Sequence, residues 1–61
     1  MITKITTMTK LIVNNQKIQM NTSLEGVKET FQNKGCKVVL LKNINKIYIL
    51  NNNELIGKNY E

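Results

Sequence analysis

Apolar positions along this chain keep two rhythms in turn, and then a stretch that keeps neither. Between residues 9 and 20 they alternate. Leu11, Val13, Ile18 and Met20 fall on one face of an extended hairpin, and Lys10, Ile12, Lys17 and Gln19 fall on the other. Asn14-Asn15 is the expected turn, because asparagine tolerates the positive φ that a two-residue hairpin loop requires. That turn sets Val13 opposite Gln16, Leu11 opposite Ile18 and Thr9 opposite Met20. Upstream, Ile2, Ile5, Met8 and Leu11 recur every third position, which is not a clean strand pattern. Five β-branched residues within 2–7 argue against a helix there. One bulged strand or two short ones are expected, with the better half at 9–13.

The second rhythm is helical. Leu24, Val27 and Phe31 follow one another at three- and four-residue spacing. Thr22-Ser23-Leu24-Glu25 reads as a capping box, with Thr22 accepting from the backbone of Glu25. Glu25 and Glu29 sit in the early turns and Lys34 in the last, the order that suits the helix dipole. Gly35 stands where a left-handed residue closes a helix. The prediction is a helix over 23–34, packed through Leu24, Val27 and Phe31. Gly26 inside it costs about 1 kcal/mol relative to Ala and is expected to allow close approach to the sheet.

Residues 38–50, VVLLKNINKIYIL, are the densest apolar stretch and show no alternation. A strand over 37–41, a three-residue turn at Asn43-Ile44-Asn45 and a return strand over 46–50 are expected. That loop pairs Leu41 with Ile47 and Val39 with Ile49 on one face. Leu40 with Tyr48, and Val38 with Leu50, fall on the other. Asn52-Asn53 then turns the chain into a last strand over 54–58, with Leu55 beside Leu50 and Ile56 beside Ile49. Residues 59–61 are expected to fray.

The sum is an α+β fold of order ββαβββ: a small antiparallel sheet with one helix packed on one face, a single small domain over 1–61. One amphipathic helix of about three turns covers one sheet face, not two. The helix is expected to take Val39, Leu41, Ile47 and Ile49. The second face then carries Val38, Leu40, Tyr48, Leu50 and Leu55, rimmed by Lys42 and Lys46. Either a partner covers that face, or the N-terminal hairpin or residues 2–8 fold back over it.

Length sharpens this expectation. A chain of 61 residues buries only about 60% of the surface it exposes when unfolded, and such chains often add a disulfide, a metal or a second subunit. Cys36 is the only cysteine, and histidine and aspartate are absent, so neither an internal disulfide nor a structural zinc site is expected. Dense packing or self-association as a homodimer remains. Ten asparagines, nine lysines and eight isoleucines make 27 of the 61 residues, while Ala, Pro and Arg are missing. This skew fits an AT-rich genome, such as that of a low-GC bacterium, its phage or a plasmid.

The parts an enzyme needs are missing. Ser23 stands at a helix start, where serine serves as cap or first-turn residue. Cys36 has no histidine to activate it. The glutamates at 25, 29, 54 and 61 form no close pair beyond the helical one, and the three glycines are isolated. No enzymatic activity, cofactor or metal is expected. No run approaches the ~20 apolar residues of a membrane span, and the N-terminus lacks the apolar core of a secretory signal. These features predict a soluble cytoplasmic protein.

The net charge of +5 comes entirely from lysines scattered along the chain. Two functional classes follow. The first is a non-enzymatic protein-interaction module, of the kind a phage or mobile element uses to inhibit or redirect a host defence protein. Its contacts would be Val38, Leu40, Tyr48 and Leu50 as apolar anchors, with Lys42 and Lys46 at the rim. The alternative is a small basic DNA- or RNA-binding regulator, with Tyr48 stacking a base between those lysines.

Overall fold

The structure, a computed structural model, describes residues 8–60. Its elements are β1 (Thr9–Val13), β2 (Gln16–Met20), α1 (Leu24–Asn33), β3 (Lys37–Leu41), β4 (Lys46–Asn51) and β5 (Glu54–Asn59), the predicted ββαβββ order. All five strands join one antiparallel sheet in the order β2-β1-β5-β4-β3. The segment over 2–7, expected as strand, lies outside the described residues.

The first hairpin pairs as its alternation predicts, from Thr9↔Met20 to Val13↔Gln16. Asn14 and Asn15 both take positive φ (51° and 65°), and Asn52 and Asn53 repeat this pair of angles (52° and 65°) at the β4–β5 turn. Two Asn-Asn pairs thus supply the left-handed backbone that matches the twist of the flanking strands. The hairpin does not fold back over the sheet. It joins it edge-on, with β1 against β5 through Leu11↔Asn59, Ile12↔Lys58 and Val13↔Gly57.

The helix starts one residue later than the capping box predicts. Ser23 is the N-cap and accepts from the Gly26 amide at 3.4 Å. Thr22 instead uses its carbonyl, which accepts a 2.7 Å bond from the buried Thr9 hydroxyl. The close approach at Gly26 is to Thr22 rather than to the sheet: a Cβ there would lie 1.8 Å from the Thr22 Oγ1. The C-terminus closes as expected. Gly35 takes φ +89° and donates to the Gln32 carbonyl, while Cys36 donates to that of Phe31. Both otherwise orphaned carbonyls are satisfied this way.

The β3–β4 register differs from the expected one by a single residue. The pairs are Lys37↔Leu50, Val38↔Ile49, Val39↔Tyr48, Leu40↔Ile47 and Leu41↔Lys46. The loop has four residues, not three: a 3-10 turn over Lys42–Ile44 and then Asn45, left-handed at φ 54°. A one-residue slip moves every side chain of a strand to the other face. Val38 and Leu40 therefore pack on the helix-covered core, and Val39 and Leu41 turn away from it, to 38% exposure each. The expected register would also have set Lys42 opposite Lys46, a destabilising like-charge pair.

On β5, Leu55 sits opposite Leu50 as predicted, but Gly57, not Ile56, faces Ile49. A bulge between Ile49 and Leu50 absorbs the extra residue. The strand also runs further than expected. Asn59 lies within it, and Tyr60 donates its amide to the Lys10 carbonyl at 3.0 Å.

The core lies between α1 and one sheet face. Leu11, Val27, Ile47 and Ile49 are fully buried, and Phe31 is nearly so. Val13, Ile18, Met20, Leu24, Val38 and Leu40 pack around them. β5 is the central strand, and Gly57 on it leaves room for its neighbours, since a Cβ there would stand 3.0 Å from Val13 and 3.2 Å from Ile49.

Candidate functional site: the open sheet face

Strand alternation fixes what the face opposite α1 displays. The row Lys17–Ile12–Lys58–Tyr48–Val39 crosses all five strands through directly paired residues. Leu41 with Lys46, and Leu50 with Leu55 and Lys37, continue the face on the β3 side. Lys10 and Tyr60 continue it on the β1 side, where Tyr60 follows β5 and bonds to Lys10. The Lys17 ammonium lies 5.5 Å from the centroid of the Tyr60 ring, a cation–π distance that places both on this face. Nothing among the described residues covers it.

Charge divides unevenly between the two sides. The described residues hold eight lysines and three glutamates. Glu25, Glu29, Lys28 and Lys34 belong to α1 and its C-cap. Lys42 meets Glu25 at 3.1 Å on the same side. Glu54, the neighbour of Leu55 on β5, points to that side by alternation. The helix side is therefore neutral: three lysines and three glutamates. The remaining five lysines, at 10, 17, 37, 46 and 58, all fall on the open face, with no carboxylate among the described residues there. Lysines that look scattered in sequence become one field because each of the five strands places one of them on this face.

The six expected contact residues do not form one group. Tyr48, Leu50 and Lys46 lie on the open face, whereas Val38 and Leu40 pack beneath α1 and Lys42 is tied to Glu25 on the helix side. Val39, Leu41, Lys58 and Tyr60 take their places. The lysine parity was a usable signal: the expected register puts Lys37 on the helix-covered face, and the observed one frees it.

On the helix side a shallow hollow of about 500 Å³ lies between α1 and the β3–β4 loop, with Thr9, Ser23, Leu24, Leu40, Lys42 and Asn59 in its wall. Its polar groups are engaged structurally. The Asn59 amide oxygen accepts from the Ile47 amide at 3.0 Å, and its nitrogen donates to the Asn45 carbonyl at 2.9 Å. Ser23 is the helix cap. Cys36 is half-buried against the core. Among the described residues no three His, Cys, Asp or Glu side chains cluster as metal ligands would, and no helix is long and apolar enough to cross a membrane.

Comparison with protein-family models, with curated proteins and with solved structures finds no match for this chain.

Proposed function

We propose that this chain is a small non-enzymatic binding module that holds nucleic acid on its open sheet face. The observation that supports this reading is the charge partition among the described residues: a neutral helix side, and five lysines without a facing carboxylate on the open side. Such a surface binds a phosphate backbone by releasing condensed counterions, which makes affinity strongly dependent on salt. Titration of fluorescently labelled oligonucleotides at several salt concentrations tests it. The expected result is binding at ~50 mM salt that weakens as salt rises, linearly on a double-logarithmic plot. Absence of binding to any oligonucleotide at that salt ends the reading.

A protein partner is the second reading, the one expected from the sequence as a phage or mobile-element inhibitor of a host defence protein. One observation favours it. Val39, Leu41 and Leu55 stand 38%, 38% and 54% exposed beside Tyr48 and Leu50, an apolar patch at the β3 edge of the same face. A free edge strand also invites pairing with a second copy. Light scattering of wild type and Tyr48→Lys checks the dimer, and a wild-type monomer at high concentration removes it.

A further inference from the structure

We infer that the open face takes a single strand, with Tyr48 and Tyr60 each stacking a base. This deepens the nucleic-acid reading and rests on it. Three features of the face choose a strand over a duplex. The first is width. Five strands about 4.8 Å apart span roughly 19 Å, more than the ~12 Å of a major groove, and α1 backs the sheet. The second is chemistry. The cations alternate with Ile12, Tyr48, Leu50 and Tyr60, whereas a duplex presents phosphates outward and keeps its base faces stacked. Only a strand with splayed bases offers an apolar surface for these side chains. The third is the lack of arginine, the commonest side chain for reading guanine in a groove.

The spacing supplies the mechanism. Tyr48 is directly opposite Lys58 on the neighbouring strand, and Tyr60 lies two residues beyond Lys58. That is the diagonal relation, about 7–8 Å between positions, close enough for two successive bases. Lys58 stands between the rings on the sheet. Lys17, whose ammonium lies over the Tyr60 ring, gives up that ring face to a stacked base and stays within reach of the nucleotide's phosphate as a second cation. Stacking on aromatic rings with lysine-neutralised phosphates tolerates any base, so binding with little sequence preference follows.

The chain has two tyrosines and no tryptophan, so its intrinsic fluorescence reports on these two rings alone. Wild-type protein is titrated with a thymidine oligonucleotide, a uridine oligonucleotide and a DNA duplex of equal length. The expected result is tighter binding of both single strands than of the duplex, with quenching of tyrosine emission that saturates with binding. Tyr48→Leu and Tyr60→Leu should each weaken single-strand binding about five- to 100-fold, and Tyr→Phe at either position should retain it. Single-strand binding without quenching, or duplex binding as tight as strand binding, overturns the inference and leaves the broader nucleic-acid reading standing. Failure to bind any of the three removes both. The quenching measurement needs no variant, so it decides even where a leucine variant does not fold.

Discussion

The two faces of the sheet are built from the same strands, yet they answer to different demands. Ile49 and Leu50 are neighbours on β4. Ile49 is fully buried beneath α1, while Leu50 lies on the face that nothing described covers. The helix-covered face holds Leu11, Ile47 and Ile49, fully buried in one cluster with Val27 and Phe31 of α1, and no charged residue belongs to that cluster. The open face holds five of the eight described lysines and none of the described glutamates. Among the described residues, one face of a five-stranded sheet, closed by a ten-residue helix, holds the whole buried apolar core. The other face is released from the core and free to carry charge and aromatic rings.

The largest effect expected is therefore a difference between adjacent residues. Ile49→Ala should destabilise by about 2–5 kcal/mol, the usual range for truncating a buried aliphatic side chain. A chain of this length has a total stability of about 3–9 kcal/mol, so that variant approaches unfolding. Leu50→Ala should lose about 1 kcal/mol or less, since solvent already reaches the site. Urea denaturation of the two variants measures both losses. Equal losses would mean that the open face is covered in solution.

Gly57 and Asn59 sharpen the same contrast along β5. Gly57→Ala puts a methyl between Val13 and Ile49 and should cost about 1–3 kcal/mol by overpacking. Asn59→Ala leaves the Ile47 amide without its acceptor and should cost about 1–2 kcal/mol, with faster hydrogen exchange at that amide. Substitution of Lys58, between them on the other face, should show no such loss. If Gly57→Ala proves neutral, the packing across the middle of the core is looser than the 3.0 Å approach requires.

The sequence is legible where periodicity and turn chemistry agree. The first hairpin, with its alternating strands and Asn-Asn turn, could be paired residue by residue. The capping box at Thr22–Glu25, Gly35 and the apolar spacing bound helix α1 to within a residue. The β3–β4 hairpin was not legible by pattern, because VVLL and IYIL are apolar on both faces and no alternation selects a register. A four-residue loop closed by left-handed Asn45 made the choice. Val38 and Leu40 take the helix side with that loop. The lysine field was hidden for a different reason: charge scattered along a chain acquires a direction only once the strand order is known.

The smallest effect on stability is expected from two lysines of equal formal charge. Lys42 and Glu25 form an ion pair with both side chains about 70% exposed, and such pairs contribute little. Lys42→Gln should therefore change stability by no more than about 0.5 kcal/mol, and so should Lys58→Gln, a surface change away from any core contact. Binding is where the two should part. Removing one lysine–phosphate contact lowers the slope of log affinity against log salt by about 0.7 for a single strand. Lys58→Gln should show that change in an oligonucleotide titration. Lys42→Gln should not, because its charge lies on the helix side and is already answered by Glu25. If the two variants lower the slope equally, the field belongs to the whole molecule and not to one face. The open sheet then loses its claim to be the site, even while the protein goes on binding nucleic acid.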